Sequence, residues 1–303
     1  MSPTLPTLTF ALAFGCASLP PPAPAAVSAS PAPSASPSAP VPAPATTATA
    51  APASISSAAA ATSLAAPASP AAAAPASLSS AAAAPALPQG VVSLEVPGFD
   101  AAVVSFPSAA RTAPVLVVTH GAGDTPGALC DVWRGVLGDR GVLLCPAGPR
   151  IAWNAEGRYY PDHLALERIV LASIDALGKA FPGSVDLARI TYAGYSQGAM
   201  MGALMIAAHG KEFPYLALVE GGFNEWSVVR AAAFREGGGR RVLFACGRQA
   251  CKEAAERAAA WLRRAGVEAR VVSSVGAGHT YGGGVARAVH GAFGWLVADD
   301  PRW

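Results

Sequence analysis

No Asp, Glu, Lys, Arg or His occurs before Glu95, so all 21 basic and 19 acidic residues lie between Glu95 and Trp303. The first third is instead rich in proline, holding 18 of the 28 prolines between Pro3 and Pro88. Two physically different stretches are therefore joined in one chain, and only the second has the charge content, about 19 per cent, of an ordinary globular domain. An excess of one sign is lacking too. The formal net charge of +2 provides no field for nucleic acid or another polyanion. Long apolar runs are scarce: the compact one near the start, Leu8 to Leu19, falls well short of the ~20 residues that a membrane-spanning helix needs. The mean hydropathy of +0.37 thus reflects alanine rather than a membrane bundle. No Cys-x-x-Cys pair, His-x-His or HExxH motif is present, so no metal site is predicted and no cofactor is expected.

Residues 1–16 read as a signal-peptide-like segment, because Leu8–Leu19 has the length of the apolar core of an export signal. Leu12-Ala13-Phe14-Gly15-Cys16 resembles the bacterial lipoprotein signal, in which lipid is attached to a Cys after a small residue. That resemblance implies lipidation of Cys16, a membrane tether and a periplasmic or outer-surface location. The other reading is a disordered start with an incidental cysteine. Residues 17–90 are almost wholly Ala, Pro, Ser and Thr, with too few large apolar side chains to offset the entropy of ordering the backbone. A disordered linker biased toward polyproline II is expected there, acting as a semi-rigid spacer.

Residues 91–303 have a different rhythm. VVSLEV (91–96) and AAVVSF (101–106), separated by Pro97-Gly98, read as two strands of a hairpin. PVLVVTH (114–120) is a continuous apolar run of the kind buried on both faces of a sheet, followed by a helix (127–138) and the strand GVLLCP (141–146). The alternation continues as helix 162–180, strand 189–194, helix 196–209, strand 215–220, helix 226–234, strand 241–246, helix 250–265, strand 268–274 and helix 284–298. This pattern predicts an α/β fold, a doubly wound and mostly parallel sheet with helices on both faces. Ligands bind such sheets beyond the carboxyl ends of the strands. Those positions hold His120-Gly121-Ala122-Gly123-Asp124, Gly194-Tyr195-Ser196-Gln197-Gly198, Glu220-Gly221-Gly222 and Gly276-Ala277-Gly278-His279.

GYSQG is a G-x-S-x-G elbow between a β-branched strand and a helix rich in Ala and Met, the context in which a sharp turn lifts Ser196 above the sheet. Gly194 and Gly198 are required because Cβ atoms would crowd the neighbouring strand and helix. DLARITYAGYSQGAMM (186–201) is similar to the elbow region of the carboxylesterase, dienelactone-hydrolase and polyhydroxybutyrate-depolymerase branches of the α/β-hydrolases, a resemblance that spans roughly residues 91 to 300. It implies a serine nucleophile, a histidine base after the last strand, an acid after a middle or late strand, and acyl-ester chemistry on a small-molecule or polymeric ester.

Ser196 is a weak nucleophile unless an imidazole takes its proton. Of the five histidines, His279 alone lies in the loop directly after the final strand, a glycine-rich loop able to reach the elbow. His120 fits a brace for the HGAG turn, and His163, His209 and His290 fall on helices. An oxyanion hole, worth about 3 to 4 kcal/mol per donor, would use the Gln197 N–H and an N–H of the HGAG turn, from Ala122 or Gly121. The acid is harder to assign. Relatives often carry an Asp after the strand equivalent to 241–246, but Cys246-Gly247-Arg248-Gln249-Ala250-Cys251-Lys252-Glu253 has none. Glu220 is the leading substitute and Glu253 the other candidate. The four cysteines of the domain suit disulfides, Cys246 with Cys251 and Cys130 with Cys145 being one of three formal pairings, with free buried thiols as the alternative. Trp153, Tyr159, Tyr160, Phe223 and Trp226 either line a pocket or pack over the sheet, and Met200, Met201 and Met205 read as core. A serine ester hydrolase is the leading reading; an envelope binding module that keeps the scaffold without turnover is the rival.

Overall fold

The computed structural model describes residues 88–108, 112–152 and 154–303. The signal-like segment 1–16, Cys16 with its predicted lipidation, nearly all of the predicted linker 17–90, and Trp153 lie outside the described residues. The elements run in the order β1 (Gly90–Leu94), β2 (Ala102–Phe106), β3 (Ala113–Thr119), α1 (Pro126–Leu137), β4 (Val142–Cys145), β5 (Arg150–Ile151), β6 (Asn154–Arg158), α2 (His163–Ala180), β7 (Val185–Tyr195), α3 (Gln197–Ile206), β8 (Tyr215–Val219), α4 (Val228–Glu236), β9 (Arg241–Cys246), α5 (Gln249–Arg264), β10 (Glu268–Ser273) and α6 (Gly283–Leu296).

Eight strands form one sheet in the order β1-β2-β4-β3-β7-β8-β9-β10. β1 and β2 pair antiparallel, as does β2 with β4, and every pairing from β4 to β10 is parallel. The predicted doubly wound, mostly parallel sheet is therefore present. β3 shows why both faces need helices. Successive side chains point to opposite faces, and Val115 and Val117 join one core cluster with α2, α3 and α5, while Leu116 and Val118 join the other with α1 and α6. All four are fully buried.

Helix starts follow local chemistry. Thr125, Asp162 and Ser227 each sit at an N-cap and accept a hydrogen bond from a first-turn N–H, those of Ala128, Ala165 and Arg230. Both predicted disulfides of that pairing are present: Cys130 of α1 joins Cys145 at the end of β4, and Cys246 at the end of β9 joins Cys251 in the first turn of α5. Loop-closure entropy assigns about 3 kcal/mol to the first, which spans 15 residues, and about 2 kcal/mol to the second, which spans 5. Among the described residues no helix is long and apolar enough to cross a membrane.

Two features depart from the predicted elements. β7 begins at Val185 rather than at 189, because its first residues extend the ladder with β3 as Ala113↔Val185 and Pro114↔Asp186 before a register shift at Pro114/Val115. Proline has no N–H to give to a ladder, and an irregularity at that point accommodates it. The stretch between the predicted strand 141–146 and the predicted helix 162–180, to which the pattern assigns no element, contains the small antiparallel pair β5–β6.

Candidate active site

Three loops at the carboxyl ends of β3, β7 and β8, with the loop after β10, converge on Ser196. The serine closes β7 and occupies the N-cap of α3 with φ 49° and ψ −110°. Among the described non-glycine residues only Ser196 and Glu220 have positive φ. Such backbone is disfavoured for a side chain by about 1 to 2 kcal/mol, and clusters where function imposes it. Close approach holds the turn: a Cβ on Gly194 would come within 2.7 Å of the Ala199 nitrogen, and one on Gly198 within 2.5 Å of the Thr119 carbonyl oxygen. Below, the buried Tyr192 hydroxyl donates to the Gly198 carbonyl at 2.7 Å and lies 2.6 Å from Thr119 Oγ1.

A serine at an N-cap ordinarily bonds the first turn of its own helix, as Ser227 does. Ser196 makes no such bond. Its Oγ lies 2.8 Å from His279 Nε2, and His279 Nδ1 lies 2.9 Å from Glu220 Oε2. The structure thus brings together the predicted nucleophile, base and leading acid candidate. Glu253 instead accepts from Gln249 Nε2 on the exposed side of α5.

Glu220 is almost wholly buried, and burial opposes its ionisation. Hydrogen bonds from the Gly247 N–H, from His279 and from the Arg248 guanidinium outweigh that cost, so its carboxyl lies below the usual glutamate value. An ionised carboxylate only accepts hydrogen bonds, so His279 Nδ1 must carry the ring proton. Nε2 then presents a lone pair, and the Ser196 hydroxyl donates to it. The tautomer required of a general base follows from the burial and hydrogen bonding of Glu220.

The HGAG turn lies directly against Ser196. A Cβ on Gly121 would meet the Tyr195 ring at 2.9 Å and Ser196 Cβ at 3.2 Å. Among the described residues no protein acceptor pairs with the N–H groups of Gly121, Ala122 or Gln197, and the last of these opens α3, whose dipole favours negative charge. His120 is fully buried beneath this turn, with Nδ1 2.9 Å from the Gly121 carbonyl oxygen and Nε2 accepting from the Gly148 N–H at 3.1 Å. It stacks on Tyr160 at 4.4 Å between centroids. Burial, countered in part by the Gly121 bond and reinforced by the Arg158 charge, pushes its imidazole down to about 4. His120 is therefore a neutral brace, as its place in the sequence predicts. His209 pairs with Glu167, and His290 lies 2.8 Å from the Val136 carbonyl oxygen, both away from the elbow.

Several partners of the site escape sequence reasoning. Tyr195 donates from its hydroxyl to the His279 carbonyl at 3.0 Å and packs its ring against Tyr281 at 4.7 Å. Tyr281 in turn donates to Asp124 Oδ1 at 3.2 Å, tying the histidine loop to the HGAG turn. The Gln197 side chain accepts from the Tyr160 N–H at 2.8 Å, fixing the segment that flanks the elbow. Arg248 bonds Glu220 through both its backbone N–H and Nε. The sequence marks only the positions of Tyr195, the aromatic inside the G-x-S-x-G motif, and of Arg248, in the turn that lacks the expected Asp, and not their partners. Tyr160 and Trp226 are buried core residues and not pocket walls, and Met200 is exposed where the sequence predicts a core role.

No protein-family model matches the chain, and no curated protein matches it by sequence. Solved structures do match in fold. Est1E from Butyrivibrio proteoclasticus aligns over 69% of this chain and 100% of its own, with a TM-score of 0.52 and 16% identity. The same protein with ferulic acid bound aligns at a TM-score of 0.51 and 14% identity, over 68% of this chain and 99% of that one. TT1662 from Thermus thermophilus aligns over 70% of this chain and 99% of its own, with a TM-score of 0.51 and 16% identity. Together with the sheet order and the elbow, these likenesses establish the α/β-hydrolase fold for the described domain.

Proposed function

We propose that this chain is a serine hydrolase that cleaves carboxylic esters through an acyl-enzyme on Ser196, with no cofactor. The observation that carries the reading is the unbroken line from Ser196 Oγ to His279 Nε2 and from His279 Nδ1 to Glu220 Oε2, at 2.8 and 2.9 Å. Hydrogen-bond reach between nucleophile, base and orienting group is the geometric signature of nucleophilic catalysis. In the reaction, Ser196 Oγ attacks the ester carbonyl carbon as its proton passes to His279 Nε2. The carbonyl electron pair moves onto oxygen, where the Gln197 N–H and an N–H from Ala122 or Gly121 receive the charge. Collapse expels the alkoxide, which takes the proton from Nε2, and leaves the acyl group on Ser196. Water then repeats the attack with His279 as base and releases the acid. Glu220 holds the ring and stabilises the imidazolium.

Est1E, alike in fold, binds ferulic acid. That ligand makes esters of aromatic acids the first substrate class to assay, with short aliphatic esters as the comparison. The two disulfides support export to an oxidising compartment, and a lipid on Cys16 is the tether we propose. The test is hydrolysis of p-nitrophenyl acetate and methyl ferulate by wild type, Ser196→Ala and Glu220→Gln. Wild type turns over at least one of them, Ser196→Ala is silent, and Glu220→Gln keeps its melting temperature while kcat falls by several orders of magnitude. Equal activity in wild type and Ser196→Ala would refute the proposal, and no turnover by folded wild type would leave the binding module as the better reading.

A further inference from the structure

The turn after β9 carries no carboxylate, yet it bonds the acid of the proposed triad and the loop that carries its histidine. Cys246-Gly247-Arg248-Gln249-Ala250-Cys251 is closed on itself by a disulfide. Glu220 Oε1 accepts from the backbone N–H groups of Gly247 and Arg248, and Oε2 accepts from Arg248 Nε at 2.7 Å. Three of the four donors on this carboxylate come from the turn, and His279 is the fourth. The sulfur atoms of Cys246 and Cys251 and a Glu220 carboxylate oxygen all lie within 4.8 Å of one another. The same turn seats the histidine loop. The Gly247 carbonyl accepts from the N–H groups of Gly276 and Gly278 at 2.9 and 3.2 Å, and the Cys246 carbonyl accepts from Ser274 at 2.8 Å. A Cβ on Gly247 would fall 2.2 Å from the Gly278 carbonyl oxygen, so the two backbones are in direct contact. Arg248 is also the N-cap of α5 and makes no side-chain cap bond. Arginine is a poor choice for a cap; its side chain turns back to Glu220 instead.

We propose that the disulfide-closed turn Cys246–Cys251 is a clamp that fixes Glu220 relative to His279, with Arg248 as its positioning residue, and that turnover depends on the clamp being closed. This rests on the reading of Ser196, His279 and Glu220 as a catalytic triad. The short ring keeps Gly247 and Arg248 aimed at one buried carboxylate, and the disulfide joins the strand end to the helix start across the donors. A dithiol reductant opens it by giving two electrons and two protons, converting the S–S bond into two thiols while the reductant becomes a disulfide. The turn then gains backbone freedom, and both the acid and the histidine loop lose their common support. A misplacement of about 1 Å in such a constellation costs on the order of a hundredfold in rate. Arg248 also shares Oε2 with His279 Nδ1, so its positive charge opposes an imidazolium there. Removing that charge moves the acid side of the rate profile to higher pH, which a merely structural contact would not do.

The experiment uses the full chain, oxidised, with a chromogenic ester and a fluorophosphonate probe. Wild type must first turn over the ester and be labelled; failure at this step refutes the triad reading itself and is thereby distinct from failure of the clamp. Given activity, dithiothreitol lowers kcat about tenfold or more with KM little changed, once alkylation and mass spectrometry show the 246–251 bond open. Cys246→Ser/Cys251→Ser has that lower kcat without reductant and does not respond to it. Cys130→Ser/Cys145→Ser keeps the response, which separates the two bridges. Arg248 is half exposed, so Arg248→Gln folds; it loses kcat about tenfold and shifts the acid limb upward, and Arg248→Lys restores the limb but only part of the rate. Undiminished kcat with the 246–251 bond open would overturn the clamp. If the double variant does not fold, an Arg248→Gln enzyme with wild-type kcat and pH profile would overturn it equally.

Discussion

Lowering the pH from 7 to 5 isolates the brace beneath the HGAG turn. His120 is fully buried, and its imidazole is pushed down from 6.5 to about 4, first by burial. Below pH 6.5 the unfolded chain takes up a proton that the folded chain refuses until about pH 4. The stabilising effect is therefore complete near pH 7 and is lost as the pH falls between those values. A tenfold difference in proton affinity corresponds to about 1.4 kcal/mol, so the fall from 6.5 to about 4 sets a ceiling of about 3 kcal/mol, of which about 2 kcal/mol is lost by pH 5. His120→Gln keeps an acceptor for the Gly148 N–H and removes the titration. It costs stability at every pH through the lost bond and ring stack, but its stability varies less with pH. Urea unfolding of both proteins at pH 7 and pH 5 gives the difference of differences, expected at about 2 kcal/mol. Equal pH dependence in the two proteins would mean that His120 is not held neutral, and the brace would have to be abandoned.

Other perturbations have equally direct outcomes. Tyr195→Phe removes the hydroxyl that bonds the His279 carbonyl; kcat falls about tenfold with KM unchanged, and stability falls by about 1 kcal/mol, read by steady-state kinetics and urea unfolding. Gly121→Ala drives a methyl into the Tyr195 ring and toward Ser196 Cβ, lowering kcat/KM on the order of a hundredfold; an active alanine variant would show that the turn has room to move. Cys130→Ala/Cys145→Ala opens the 15-residue loop and costs about 3 kcal/mol, lowering the melting temperature by roughly 10 °C in calorimetry. Its kcat at 25 °C is expected to match wild type, because neither cysteine approaches the elbow.

What the sequence makes legible is whatever short-range physics decides. Val115 to Val118 read as a doubly buried strand because burial on two faces leaves no polar alternation, and Ser196 reads as an elbow because glycines flank it at the two positions where a Cβ would collide. Glu220 is legible from its own neighbours. A Cβ on Gly221 would lie 2.5 Å from the Ser196 carbonyl oxygen, and the Gly-Gly pair signals that close approach. β5 and β6 escape because Arg150-Ile151 and Asn154–Arg158 lack an apolar pattern, and β6 is held by the HGAG turn through Gly123 and Asp124 as much as by its partner strand. Arg248, Tyr195 and Tyr281 escape because their partners are 28, 84 and 157 residues away, separations that no local pattern encodes. In the sequence the missing carboxylate after β9 reads as a weakness of the site, whereas the structure fills that turn with donors for Glu220, one strand earlier.

Covalent trapping of the serine tests the central claim most directly. After incubation of the intact chain with a fluorophosphonate, digestion and mass spectrometry should find the phosphonyl adduct on the Ser196 peptide and nowhere else. Ser196→Ala should stay unlabelled, and His279→Ala should label far more slowly. An unmodified Ser196 in folded protein, or an adduct that persists at full rate without His279, would contradict the account.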